Sequence, residues 1–134
     1  MKSLFLLLGH LFGDYVFQTK WMAFNKKEES LEGTLACFVH CCVYTLFVCT
    51  FMSVVTNVYI STVILVFLSH WIIDKYKVVE WWCDQFKIRT WYSEVDFDSL
   101  PPSKEEAVHI AFGSLVYVVI DNTFHILLLL LIFY

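Results

Sequence analysis

Ionisable side chains interrupt stretches of this chain that are otherwise apolar enough to lie in a lipid bilayer. Six of them form pairs spaced four residues apart and a seventh stands alone: His10/Asp14, His70/Asp74, Asp121/His125 and His40. A charged group at the bilayer centre costs about 2.5–3.5 kcal/mol on insertion scales, so such groups are rare and functional by default. Imidazole and carboxylate are also ligands for zinc, manganese and iron. The sequence therefore predicts a metal site inside the membrane.

The composition places the chain among integral membrane proteins. It has 134 residues, of which 59% are hydrophobic and 16% are charged, whereas soluble domains carry about 25% charged residues. The length predicts a single domain over residues 1–134. A net charge of −4 without a basic stripe argues against nucleic acid as a partner.

Hydrophobic runs predict an all-α fold, an integral four-helix bundle. The predicted spans lie at about residues 3–19, 34–56, 59–75 and 115–134, and a span needs about 20 apolar residues. Between the third and fourth spans, residues at about 76–92 separate into an apolar and a polar face at helical spacing, which predicts a helix in the membrane interface. The sequence from Ser103 to Glu106 forms a capping box, so we expect the last helix to begin near Lys104.

Basic residues predict the orientation of the bundle. Eight of the nine lie at or in the first and third connections, which share one side of a four-span protein, and only Lys2 lies on the other side. The eight are Lys20, Lys26, Lys27, Lys75, Lys77, Lys87, Arg89 and Lys104. The positive-inside rule makes their side cytoplasmic. We therefore expect a protein of the bacterial cytoplasmic membrane, with both termini outside.

The ionisable residues also share a depth in the predicted bundle. Asp14, His40, His70 and Asp121 each lie about five or six residues from the cytoplasmic end of their span, or about 8–10 Å below the interface. We therefore expect all seven residues to surround a common divalent metal, with zinc favoured and manganese or iron as alternatives. Seven ligands exceed the needs of one tetrahedral ion, so either a second ion is bound or some residues orient the ligands. Gln18, one turn after Asp14, is a candidate for that orienting role.

This ligand set predicts metal-dependent hydrolysis of a lipid-linked or phosphoester substrate that reaches the site from the cytoplasmic leaflet. One carboxylate among Asp14, Asp74 and Asp121 would act as general base. Two other functions use the same residues. A metal-ion or proton carrier would need several copies of the chain to form a pathway, which makes a homo-oligomer possible. A non-enzymatic membrane effector would bind another protein and use the cluster for stability.

The residues around these positions resemble a known family. The run from Leu8 to Ala23 is similar to the signature GHLLGD-(F/Y)-x-x-Q-T-x-W-M-A of a small bacterial and phage membrane family, domain of unknown function 3307. Later blocks resemble it in order, around His40, from Ser69 to Asp74 and from Ile120 to His125.

Two positions depart from the family pattern. Lys20 stands where an acidic residue is common, and Asn122, a candidate orienting residue, stands where glutamine is usual. More distantly, the HxxxD pattern is similar to that of integral-membrane metal-dependent hydrolases, which resemble zinc phospholipase C-type enzymes. The resemblance implies a membrane fold, and hydrolase activity is an inference from this analogy and the site chemistry.

Overall fold

The computed structural model describes residues 1–86 and 104–134, and every regular element within them is helical. The predicted all-α class is confirmed. In chain order the elements are α1 (Lys2–Leu11), a π-helical segment (Phe12–Val16), α2 (Lys20–Asn25), α3 (Leu31–Ser53), α4 (Ile60–Lys75), α5 (Val78–Gln85) and α6 (Lys104–Phe133).

Two of these helices are long and apolar enough to cross a membrane. They are α3, with 23 residues, and the part of α6 from Ile110 to Phe133, with 24 residues. Helix α4 has 16 residues and α1 has 10, so each is shorter than the about 20 residues that span the hydrocarbon core. Two of the predicted spans therefore have the required length and composition.

Local sequence signals explain several helix boundaries. Helix α3 begins after Ser30, whose hydroxyl accepts a hydrogen bond from the backbone N–H of Gly33 at 2.9 Å. Helix α6 is described from Lys104 onward, and Ser103, on which the predicted capping box depends, lies outside the described residues. Helix α5 covers part of the predicted interfacial helix, and residues 87–92 of that prediction lie outside the described residues.

Helix α2 lies in the connection between the first and second predicted spans. It begins because Thr19 caps it, with the hydroxyl accepting a hydrogen bond from Met22 N–H at 3.3 Å. The indole N–H of Trp21 donates to Glu32 at 2.9 Å and so ties α2 to the start of α3.

The chain forms two compact units, residues 1–78 with 125–134, and residues 79–124. In the first unit, α3 is central and packs against α1, the π-helical segment, α2 and α4. Its apolar core consists of Leu6, Tyr44, Val48, Met52, Val66 and Leu129. In the described part of the second unit, the rings of Trp82 and Phe124 meet edge to face at 5.4 Å.

Two glycines bring the N-terminal segment against the backbone of α3. A Cβ atom on Gly9 would lie 2.9 Å from the Cα of Val48, and one on Gly13 would lie 2.9 Å from the Cα of Tyr44. Small residues allow such close helix contacts. Because Asp14 follows Gly13 directly, this contact holds Asp14 beside α3.

The hydroxyl of Thr45 provides a first testable prediction. Thr45 is buried on α3, and its hydroxyl has no hydrogen-bond partner among the described residues. An unsatisfied buried polar group costs about 1–3 kcal/mol. We expect Thr45→Val, which has nearly the same shape, to raise the free energy of unfolding by about 1 kcal/mol. Unfolding of the purified protein in detergent measures it, with Thr50→Val at an exposed position of α3 as control; an unchanged or lowered stability would contradict it.

Candidate metal centre

Four buried side chains from three elements bring nitrogen and oxygen atoms to one point. Asp14 comes from the π-helical segment, His40 from α3, and His70 and Asp74 from α4. Each has at most 4% of its surface exposed. The Nε2 atoms of His40 and His70 are 2.9 Å apart. Asp14 Oδ1 and Asp74 Oδ2 each lie 3.2 Å from His40 Nε2.

The spacing of these four atoms matches the ligand shell of one small divalent ion. His70 Nε2 lies 3.3 Å from Asp74 Oδ2 and 3.9 Å from Asp14 Oδ1. Zinc bonds of about 2.0–2.1 Å in a tetrahedron place the ligand atoms about 3.3–3.4 Å from one another. The observed distances bracket that value, and two imidazoles with two carboxylates suit zinc, manganese or iron.

Unsatisfied atoms within the cluster also fit a cation. Both carboxylate oxygens of Asp74 are buried without a hydrogen bond from the described residues. The distances from Asp74 to its neighbours are short, but they are ion-pair contacts that lack hydrogen-bond geometry. Asp14 and Asp74 both lie within 4 Å of the single ammonium group of Lys26, so one of the two negative charges is left for a cation to balance.

His125 extends the cluster on the side of the second oxygen of Asp74. Its Nε2 lies 3.7 Å from Asp74 Oδ1, and its ring centroid lies 4.2 Å from that of His70. His70, Asp74 and His125 each offer a ligand atom within 4.8 Å of the others, as do Asp14, His40 and His70. Because His70 belongs to both groups, the two groups are alternative positions for an ion that would use this ligand.

Tyr44 lies between the cluster and His10. Its ring stacks on that of His70 with centroids 3.6 Å apart, and its hydroxyl lies 3.1 Å from His10 Nδ1. Since His10 is buried and its ring centroid lies 5.9 Å from that of His125, it borders the cluster. Its predicted role as a ligand stays a prediction.

The π-helical segment explains why His10 and Asp14 contact different partners. The backbone N–H of Phe17 donates to the carbonyl of Phe12 at 3.0 Å, a bond that spans five residues. The π-helical segment begins between His10 and Asp14, so the two side chains are not held in the register of one regular α-helix. Such turns occur frequently at functional sites. Asp14 consequently faces His40 while His10 faces Tyr44.

The other predicted residues lie as follows. Gln18 contacts the cluster: with its amide oriented to satisfy its neighbours, the nitrogen donates to the Asp14 carbonyl at 3.2 Å. Asp121 and Asn122 belong to the second unit. Their roles as ligand and orienting residue stay predictions.

Lys26 is the member of the cluster that the sequence did not reveal. Lys26 belongs to the predicted cytoplasmic connection, but it is only 8% exposed. Its Nζ lies 2.8 Å from Asp74 Oδ2, 3.2 Å from His40 Nε2 and 3.8 Å from Asp14 Oδ1. The sequence signal for the position of Lys26 was Thr19. This residue caps the short helix α2, which ends at Asn25, directly before Lys26.

Comparison with known families gives one match. The family model described as protein of unknown function (DUF3307) matches residues 3–134. The chain belongs to this family. No curated protein and no solved structure matches the chain significantly. The family description assigns no reaction to its members.

Proposed function

We propose that this DUF3307 protein is a membrane-embedded, metal-dependent hydrolase that acts on a lipid-linked or phosphoester substrate at the cytoplasmic leaflet. The observation that carries the proposal is the convergence of Asp14, His40, His70 and Asp74, whose ligand atoms lie 2.9–3.9 Å apart. Burying imidazoles and carboxylates in such an arrangement is unfavourable in free energy unless they bind a cation.

The proposed membrane arrangement has four spans. Helix α3 and the part of α6 from Ile110 to Phe133 are long and apolar enough to provide two of them. The segment formed by α1 with the π-helical turn, together with α4, completes the bundle, because a shorter apolar helix is accommodated by local thinning of the bilayer. In this arrangement the cluster lies in the cytoplasmic half of the membrane.

The side chains of the cluster divide the work of hydrolysis. A divalent ion held there supplies Lewis-acid chemistry and lowers the pKa of water towards neutrality. His40, His70 and Asp74 hold the ion, since their ligand atoms lie within 3.3 Å of one another. Asp14 is the most loosely placed, with its Oδ1 3.9 Å from His70 Nε2. We therefore assign Asp14 as the general base that accepts the proton of water.

A groove on the same two helices favours a substrate with a hydrocarbon chain. It has a volume of about 660 Å³ and is lined by side chains of α3, α4 and the loop between them. Phe67, three residues before His70, and Thr45, which follows Tyr44, belong to this lining. A lipid chain in the groove would lie on the same two helices that carry His40 and His70.

Metal analysis of the detergent-purified protein tests the proposal. We expect one or two zinc, manganese or iron ions per chain in the wild type. We expect metal affinity to fall more than about 100-fold in His70→Ala and in Asp74→Ala, because loss of a ligand exceeds the 10–100-fold cost of losing a supporting residue. Asp84→Ala, at an exposed position of α5, is the matched control.

Turnover is measured with the same proteins. Phospholipids and phosphodiesters are supplied with and without a chelator, and we expect hydrolysis by the wild type that the chelator abolishes. A folded wild-type protein that takes up no zinc, manganese or iron would refute the metal centre. A metal-loaded protein that hydrolyses none of these substrates would refute the reaction.

A further inference from the structure

We propose that Lys26 is a substrate-binding residue that, together with the metal, holds the anionic oxygens of a phosphate group. This inference rests on the proposed function and narrows its substrate class. The substrate is then a phosphate ester, whereas neutral esters and amides are excluded. The argument depends on the position of the Lys26 ammonium group, on the loop that holds it and on the charge of the cluster.

The ammonium group of Lys26 borders the atoms that would bind the ion. Besides Asp74, His40 and Asp14, it contacts Gln18, whose amide oxygen accepts a hydrogen bond from Nζ at 2.9 Å. Lysine side chains ordinarily extend into water. Here the ammonium group lies beside two carboxylates in a buried cluster, where any group bound to the ion would be within its reach.

The loop that carries Lys26 is fixed at two points. A Cβ atom on Gly33 would lie 2.9 Å from the carbonyl oxygen of Asn25, so the loop packs directly on the first turn of α3. On the other side, Lys75 Nζ donates to the carbonyl of Glu28 at 2.6 Å. Because both contacts hold backbone atoms next to Lys26, its side chain is directed at the cluster by the fold.

The charge of the cluster decides what else it binds. With neutral imidazoles, Asp14, Asp74 and Lys26 give a net charge of −1, and a divalent ion changes this to +1. The divalent ion would bind carboxylates that Lys26 also contacts. The ion and the Lys26 ammonium group would therefore lie close together and repel each other. A buried positive charge without a partner is costly. A ligand carrying one negative charge restores neutrality, and a phosphodiester carries one.

Phosphate fits this pair of cations better than other anions. Its oxygens point in several directions, so one can contact the ion while another accepts a hydrogen bond from the ammonium group. Lysine is a common binder of phosphate as a point charge. The same group is present in inorganic phosphate and in a phospholipid headgroup, so the two sources need separate measurements.

Binding of inorganic phosphate to the metal-loaded protein in detergent tests the role of Lys26. We expect Lys26→Met to weaken phosphate binding about 10- to 100-fold, the equivalent of one charge-assisted hydrogen bond, at unchanged metal content. Lys26→Arg keeps the charge and should stay within about threefold. Lys20→Met removes an exposed lysine from the same connection and should bind phosphate as the wild type does.

Mixed micelles identify the source of the phosphate. We expect a phospholipid to compete with inorganic phosphate for the wild type and diacylglycerol, which lacks phosphate, not to compete. Phosphate that competes while phospholipid does not would assign the site to soluble phosphate esters. Acetate that binds as tightly as phosphate would overturn the phosphate assignment.

Two results separate this inference from the proposed function. Loss of metal from Lys26→Met, or phosphate binding equal to that of the wild type, overturns the role of Lys26 while the metal centre stands. A wild-type protein without metal overturns the centre itself. If Lys26→Met does not fold, ¹⁵N-lysine spectra of the metal-loaded wild type decide. Phosphate should shift the Lys26 side-chain resonance, and an unshifted resonance would overturn the inference.

Discussion

Replacing Asp74 with asparagine is expected to lower the free energy of unfolding by about 3–5 kcal/mol, even in protein stripped of metal by a chelator. The Asp74 side chain is 1% exposed and its Oδ2 lies 2.8 Å from Lys26 Nζ. Breaking a buried ion pair from one side leaves the other charge uncompensated, and this penalty is larger than the net value of the pair. Denaturant unfolding in detergent, with the chelator present throughout, measures the loss.

The double variant separates this ion pair from other effects of Asp74. In Lys26→Met with Asp74→Asn both charges are absent, so we expect it to recover at least half of the stability lost in Asp74→Asn. Asp84→Asn, at an exposed position, should stay within about 0.5 kcal/mol of the wild type. A double variant that is as unstable as the sum of its single variants would show that Lys26 and Asp74 do not interact.

Residues in long regular helices were the most predictable part of the site. His40 and His70 lie on α3 and α4, whose apolar runs are continuous, so their depth could be counted from the helix ends. His70 and Asp74 lie four residues apart in a regular α-helix and do face a common point, with 3.3 Å between Nε2 and Oδ2. Helical periodicity was sufficient for this pair.

The N-terminal pair includes a local feature that helical periodicity does not predict. His10 and Asp14 have the same spacing as a helical pair, but the backbone changes to a π-helical turn between Phe12 and Val16. Nothing in their residue types distinguishes that turn from an α-helical one. The turn depends on tertiary contacts, such as the close approach of Gly13 to Tyr44, which a single sequence does not show.

Lys26 was missed for a different reason. A lysine between two apolar segments is ordinarily solvated, and the positive-inside rule counts it by location alone. Its burial follows from the short helix α2 and from the loop clamped by Gly33 and Lys75. These contacts join residues that are distant in sequence. Composition and spacing therefore predict the candidate metal ligands better than they predict Lys26, the charged side chain beside them.

The close contact at Gly13 leads to the second large expected effect, on metal affinity. In Gly13→Ala the new methyl group would meet the Cα of Tyr44 at 2.9 Å, and because that atom is backbone, the π-helical segment must move away. Overpacking costs about 1–3 kcal/mol, while replacing a helical glycine returns up to about 1 kcal/mol. Stability should therefore fall by less than about 2 kcal/mol. Asp14 borders the proposed ion as a supporting residue, 3.2 Å from His40 Nε2, and disturbing such a residue typically lowers metal affinity 10- to 100-fold, so we expect a loss of at least about tenfold.

Gly9→Ala is the matched control for this displacement. Its methyl group would meet the Cα of Val48 at the same 2.9 Å, but one turn farther from Asp14. Both variants should therefore lose similar stability, while Gly13→Ala loses more metal affinity, as competition with a metal-binding dye would measure. Gly13→Ala with wild-type metal affinity would contradict a role for Asp14 at the centre. An equal loss of affinity in the two variants would instead mean that α1 and the π-helical segment move as one body, and that His10 contributes to metal binding together with Asp14.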